Sequence, residues 1–314
     1  MVLNSATNVD ANYIMTNTLI SIVGPTAIGK TALSIKLAQH FNSEIISADS
    51  RQFYKEMNIG TAVPSKEELK AAEHHFIQHK SIEDYYNVGD FERDAIALIS
   101  TIHKHNPVAI MVGGSGLYVK AVTKGLDYFP EVDTAVRTTL NANLKSEGLQ
   151  HLQQQLKFLD KKAYDTIAID NPQRLIRALE ICIGTGKAYS LFLTNSEKTR
   201  NFKTITIGLN AERSIIYDRI NQRVDIMMEN GLLEEAKQLF PYKHLNALNT
   251  VGYKELFNHF EGNHTLDFAI SEIKKNTRRF AKRQLTWFKK DSSIKWFDYE
   301  TDINEIIRFV EEKL

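Results

Sequence analysis

Apolar residues fall in short clusters between polar turns, and no run reaches the ~20 residues that a bilayer requires. Leu19-Ile20-Ser21-Ile22-Val23 has the length and composition of a buried strand; a glycine-bearing loop follows. Thr31 to Phe41 then places Leu33, Leu37 and Phe41 at helical spacing. A second strand, Glu44 to Ala48, ends at Asp49, and a third, Val108 to Val112, runs into Gly113-Gly114-Ser115-Gly116. Strands alternating with helices predict a parallel sheet, whose ligand crevice lies beyond the carboxyl ends of its strands. The glycine loop, Asp49 and Gly113 to Gly116 are expected on that one rim.

From Asp133 to about Asn195 the spacing is almost wholly helical, marked by Leu140, Leu144, Leu152, Leu156, Leu159, Leu175, Ile176 and Leu179. Thr204 to Leu209 has the pattern of a strand returning to the core, after which helices are expected to the end. The predicted organisation is a core of 18–130 and 201–314, interrupted by a helical insertion domain at 131–200. Residues 1 to about 17 are polar and patternless and are expected to form a mobile leader.

With 43% hydrophobic and 25% charged residues, the balance is that of a soluble globular chain. The single cysteine, Cys182, excludes disulfides within the chain and any CxxC redox pair, which suits a reducing compartment. No Lys or Arg precedes Lys30, so a basic secretory segment is not expected; the location predicted is the cytoplasm, with no membrane partner. The formal charge is only +1, yet Lys274, Lys275, Arg278, Arg279, Lys282, Arg283, Lys289 and Lys290 occur in one stretch without an acid. Phe280, Trp287 and Phe288 interleave with them, which fits either a nucleic-acid surface or an amphipathic helix with aromatics in the core.

Gly24-Pro25-Thr26-Ala27-Ile28-Gly29-Lys30-Thr31 meets the G-x-x-x-x-G-K-[ST] pattern in full, after a strand and before a helix. Glycine lets successive backbone N–H groups face one point; the helix N-terminus and Lys30 add positive charge, and Thr31 offers a hydroxyl toward Mg²⁺. This nucleotide- and ATP-binding motif specifies a di- or polyphosphate rather than ATP itself. The fold class that follows is α/β, a P-loop NTPase-like parallel sheet flanked by helices.

An ATPase also needs a strand-end acid for Mg²⁺, but the third strand ends in glycines and the strand at 204–209 ends in Asn210. Asp49 is the one obvious carboxylate aimed at the loop, and it can also cap a helix. Asp49-Ser50-Arg51-Gln52-Phe53-Tyr54 places an acid, donors and aromatics beside the phosphate, which suits group transfer to an acceptor that loses a proton. Asp170-Asn171-Pro172 starts a helix on which Arg174 and Arg177 share a face, open to solvent or to substrate. His74 and His75 are adjacent, a poor arrangement for zinc from one helix face, and no zinc is assigned.

Together the loop, Ser47 to Tyr54, Asn58-Ile59-Gly60-Thr61-Ala62, Gly113 to Tyr118, Asn171 to Glu180, Val251-Gly252-Tyr253 and Ala281 to Trp287 resemble the tRNA dimethylallyltransferases, or tRNA isopentenyltransferases. The likeness runs from residue 24 to 287 in the family's order, and the missing zinc-finger extension matches the bacterial type. It implies transfer of a dimethylallyl group from dimethylallyl diphosphate to N6 of the adenine 3′ of the anticodon, in tRNAs reading codons that begin with U, with Mg²⁺ as cofactor. By resemblance, Gly24 to Thr31 cradle the diphosphate, Lys30 and Thr31 assist the leaving group, and Asp49 engages the N6 amine. Ser50, Arg51, Gln52, Ser115, Arg137, Gln173, Arg174, Leu175, Ile176 and Arg177 would join Asp49 in contacting the tRNA anticodon stem-loop, partly through the insertion. Ser115 stands where Thr is common in the family, and Lys254 where Arg is frequent. A monomer is expected. The alternatives are an adenylate isopentenyltransferase acting on free AMP, ADP or ATP, a P-loop small-molecule kinase, and a non-catalytic RNA-binding module.

Overall fold

The computed structural model describes residues 16–194 and 197–314. The expected leader falls almost wholly outside them. In chain order the elements are β1 (Thr18–Val23), α1 (Lys30–His40), β2 (Ile45–Ser47), α2 (Lys66–Ala71), β3 (His74–His75), α3 (Val88–Ile102), β4 (Val108–Gly113) and α4 (Gly116–Lys124). Four helices follow: α5 (Thr134–Ser146), α6 (Gly148–Leu159), α7 (Lys161–Thr166) and α8 (Pro172–Thr185). The chain then forms β5 (Lys203–Asn210), α9 (Arg213–Glu229), α10 (Leu232–Leu239), α11 (Tyr253–Phe260), α12 (Leu266–Phe288), β6 (Lys295–Asp298) and α13 (Ile303–Glu311).

Described residues up to Lys124, with Arg200–Leu314, make one compact unit; Gly125–Thr199 make a second, which therefore begins before residue 131. In the first unit six strands pair in the order β3-β2-β4-β1-β5-β6, every pairing parallel. Side chains alternate across a strand, so β1 feeds both faces. Ile20 and Ile22 pack with Leu37, Ile216, Ile220 and Val310 on one side, whereas Leu19 and Val23 pack with Phe91, Ile99 and Val122 on the other. Burial on both faces explains why β1 and β4 are apolar without alternation.

The register aligns Val23 with both Gly113 and Gly208, and Ser47 with Val112. Four strand ends therefore reach one rim.

Two short edge strands escaped the sequence pattern. β6 lies where only helices were expected, and His74 and His75 sit in β3 rather than on a helix face. Each is a single edge strand too short for a period-2 signal. Among the described residues, no helix is long and apolar enough to cross a membrane.

The second unit has its own core, from Leu140, Leu152, Leu156, Ala163, Leu175, Ile176, Leu179 and Cys182. Its α8 starts as the local chemistry dictates: the Asn171 side chain accepts N–H bonds from Gln173 and Arg174 at 3.0 and 3.3 Å, and Pro172 fills the first turn.

Candidate active site

The loop after β1 needs its glycines for two reasons. Gly24 has φ 146° and lies so near β5 that a Cβ would stand 2.5 Å from the Leu209 carbonyl oxygen. Gly29, at φ 108°, turns the chain into α1, and Ala27 shares the left-handed region at φ 64°. Residues Thr26 to Ala32 then line a cavity of about 870 Å³ together with Asp49, Gln52 and Arg223. The Lys30 ammonium donates to the Pro25 carbonyl at 2.7 Å, and burial pulls its pKa down to about 8, although the Asp49 charge opposes that shift. An anion placed here would restore the lost solvation.

Two distant side chains brace the loop. The Gln284 oxygen accepts from the Thr26 N–H at 2.9 Å while its amide donates to the Gly114 carbonyl at 3.0 Å; Arg219 donates to the Ala27 carbonyl at 2.8 Å. Gln284 lay within the Ala281 to Trp287 likeness without a role assigned to it, and Arg219 did not stand out in the sequence. Arg223, one turn beyond Arg219 on α9, was missed as well. It lines the loop cavity, and burial, with Arg219 beside it, lowers its pKa from the usual arginine value. The available signal was the pair of arginines four residues apart on one helix face.

Asp49 lies two residues beyond the end of β2. Its Oδ1 accepts the Arg51 N–H at 3.1 Å and its carbonyl accepts the Gln52 N–H at 3.0 Å, closing an Asx turn. No helix begins here, so helix capping is not its role. Ser50 and Ser115, predicted as contacts, are joined to one another, the Ser50 N–H donating to the Ser115 hydroxyl at 3.2 Å. Arg51 donates to the carbonyls of Asn246 and Ala247 at 3.3 and 3.1 Å. The Gln52 oxygen accepts from the Ser47 hydroxyl, and its amide donates to the carbonyls of Thr61 and Ala62 at 3.3 and 2.9 Å. Phe53 and Tyr54 are not beside the phosphate cavity as their place in the motif suggested; both are buried in the core.

A second cavity, about 540 Å³, is lined by Gly114 to Tyr118, Thr250, Phe280, Arg283, Gln284 and Trp287. It shares Thr26, Asp49, Thr61, Ala62, Arg223 and Met227 with the first. Asp49 therefore stands where the glycine-loop cavity meets one walled by aromatic and backbone surface. Gly116 permits this wall, since a Cβ there would lie 2.3 Å from the Trp287 ring. Of the basic run, Lys274 is paired with Asp225 at 2.6 Å, Lys275 with Glu272 at 2.5 Å, and Arg278 donates to Asn221 at 2.7 Å. Arg283 lies over the Phe280 ring, 5.7 Å from its centroid, on the second cavity.

In the second unit, Arg137 and Arg177 each donate to the buried Glu180 at 2.9 Å, and Arg137 also reaches Gln173 at 3.4 Å. Arg174 is exposed. Leu175 and Ile176, by contrast, are fully buried in that unit's core, where their side chains pack against apolar neighbours rather than face solvent as a contact with tRNA would require. Apolar side chains at the first buried turn of α8 face inward because the helix carries its polar stripe on the other side.

A family described as IPP transferase matches residues 52–291. The tRNA dimethylallyltransferase of Christiangramia forsetii is 62% identical over 300 residues, covering 96% of this chain and 99% of the relative. That of Flavobacterium johnsoniae is 60% identical over 302 residues, covering 94% and 98%. Among solved structures, the tRNA isopentenylpyrophosphate transferase of Bacillus halodurans aligns with TM-score 0.70 and 41% identity over 95% of this chain and 96% of that one. A eukaryotic dimethylallyltransferase acting on tRNA aligns with TM-score 0.76 and 28% identity, covering 95% and 77%. With a glycine loop and an acid at the rim of a parallel sheet, and matched by these relatives over 94–96% of its length, the chain belongs to the IPP transferase family, with the tRNA dimethylallyltransferases.

Proposed function

We propose that this protein is a prenyltransferase that moves a dimethylallyl group from dimethylallyl diphosphate to N6 of the adenine 3′ of the anticodon, in tRNAs reading codons that begin with U. The observation that carries this reading is Asp49, which lines both cavities at the place where they meet. The donor's diphosphate sits against Gly24 to Thr31, and the acceptor base enters the cavity lined by Gly114, Phe280 and Trp287.

In the reaction the bond between the allylic carbon and the diphosphate oxygen breaks, the electron pair leaving with diphosphate. The same carbon forms a bond to N6, and the N6 proton passes to the Asp49 carboxylate. Lys30, Arg223 and the loop N–H groups stabilise charge on the leaving oxygens, which is worth most in a site closed to water. Thr31 brings a hydroxyl to the diphosphate cavity, a hard oxygen donor of the kind Mg²⁺ takes. Bound there with the diphosphate oxygens, Mg²⁺ would neutralise part of their charge. Extruding the adenine costs a few kcal/mol, and contacts in the second cavity offset it. Arg137, Gln173, Arg174 and Arg177 of the helical unit, with Ser50, Arg51, Gln52 and Ser115, are proposed to face the anticodon stem-loop. We place the reaction in the cytoplasm, carried out by a monomer.

The test incubates the protein with dimethylallyl diphosphate, Mg²⁺ and either an anticodon stem-loop or AMP. Prenylation of the stem-loop alone is the expected result. Prenylation of AMP alone would indicate an adenylate isopentenyltransferase, and a stem-loop left unmodified would contradict the proposal.

A further inference from the structure

Residues 58–62 form a wall of the proposed site, since Thr61 and Ala62 line both cavities. The segment's own bonds, from the N–H groups of Thr61 and Ala62 to the carbonyls of Asn58 and Ile59, leave the N–H groups of residues 58–60 without a partner inside the turn. Its short 3₁₀ turn, Ile59–Thr61, has no side-chain cap from Asn58, and Ala62 sits in the left-handed region at φ 51°, which costs energy for a residue with a Cβ.

The missing partners come from α10 and α11. One Glu235 oxygen accepts the N–H groups of Asn58 and Ile59 at 3.2 and 2.8 Å; the other accepts the Gly60 N–H at 2.9 Å and the Tyr253 hydroxyl at 2.7 Å. Three successive backbone N–H groups converging on one anion make a nest, here filled by a side chain of the same protein. Tyr253 is fully buried, and its ring lies so close beneath Gly60 that a Cβ there would meet it at 2.6 Å. From the other side the Gln52 amide holds the Thr61 and Ala62 carbonyls, and the Gln52 N–H donates to the Asp49 carbonyl at 3.0 Å. A continuous chain of hydrogen bonds thus runs from Glu235 through the wall to Asp49.

We propose that Glu235 is a positioning residue for transfer: its carboxylate fixes the 58–62 wall and, through Gln52, the placement of Asp49 between the two cavities. This rests on the functional reading above. Both carboxylate oxygens are used, because an amide in its place would keep one acceptor and turn its NH2 toward the donors at the other end. The glycine loop, on which the diphosphate is proposed to rest, is braced separately by Gln284 and Arg219.

The test compares wild type, Glu235→Gln and Tyr253→Phe by peptide-resolved amide hydrogen exchange, by affinity for inorganic pyrophosphate with Mg²⁺, and by steady-state kinetics on the stem-loop. For Glu235→Gln the expected result is exchange at 58–62 at least tenfold faster, kcat at least tenfold lower, and pyrophosphate affinity within twofold of wild type. Tyr253→Phe, which leaves the three backbone bonds in place, should show the same changes in smaller measure and serves as the milder variant if Glu235→Gln folds poorly. Unchanged exchange at 58–62 overturns the clamp whatever the turnover. Loss of kcat in parallel with pyrophosphate affinity overturns the positioning role, since a lower folded fraction would move both. A wild-type chain without any transfer overturns the functional reading instead, a result distinguishable from either.

Discussion

The Gln284 side-chain oxygen accepts the Thr26 backbone N–H at 2.9 Å, a contact 258 positions apart in the chain. The glycine loop is therefore held by the last long helix, α12. Gln284→Ala would leave the Thr26 N–H and the Gly114 carbonyl without this partner, at a cost of about 1–3 kcal/mol. Chemical denaturation is expected to show that loss, and pyrophosphate affinity is expected to fall with it. Unaltered stability and affinity would mean that the loop is set by its own glycines.

Lys30 gives a pH signature. In the folded chain its pKa is lowered to about 8 by burial, against the usual 10.5. Between those values the unfolded chain holds more protons, so this residue makes stability rise as pH rises through that window. Binding an anion beside Lys30 favours its charged form, so pyrophosphate affinity is expected to fall as pH rises past about 8. Calorimetry in buffers of different ionisation enthalpy should detect more proton uptake on binding above that pH in wild type than in Lys30→Gln, where only the ligand's own ionisation remains.

Arg223 is expected to serve the diphosphate rather than the fold. Charge-assisted hydrogen bonds contribute about 1.5–3 kcal/mol. Arg223→Met should accordingly weaken pyrophosphate binding by roughly 10- to 100-fold, and Arg223→Lys by less, because it keeps charge but loses the planar fork. Titration calorimetry with Mg²⁺ present would measure both.

How much of this was legible depended on distance along the chain. Gly24 to Thr31 could be found because the glycine-loop motif is written in consecutive residues, β1, β2 and β4 because buried parallel strands are apolar runs, with Asp49 just past the end of one, and β5 because Ile205, Ile207 and Leu209 alternate with smaller or polar residues. Gln284, Arg219 and Glu235 act across long sequence separations on backbone groups of the loop and wall, and no local pattern announces a backbone partner. Family likeness had a different weakness: it carried Leu175 and Ile176 over as part of a contact segment, although a helix turns adjacent residues to different surroundings. Arg174 is exposed while its neighbour Leu175 is buried.

That division on α8 can be measured. Leu175→Ala is expected to destabilise the protein by about 2–5 kcal/mol through the cavity it leaves. Arg174→Ala should leave stability within about 0.5 kcal/mol, as surface changes do, while weakening tRNA binding in a salt-dependent way. Melting curves and a filter-binding salt series separate the two. Reversed effects would return Leu175 to the tRNA interface.

The most direct measurement is mass analysis of the nucleosides of tRNA incubated with dimethylallyl diphosphate, Mg²⁺ and either wild type or Asp49→Asn. Wild type is expected to yield N6-dimethylallyl adenosine from the position 3′ of the anticodon, and Asp49→Asn at least ~10²-fold less, the usual contribution of a positioned proton acceptor, with pyrophosphate binding retained. Unmodified adenosine from wild type would contradict the proposed transfer, and equal yields from the two proteins would contradict the role of Asp49 as proton acceptor.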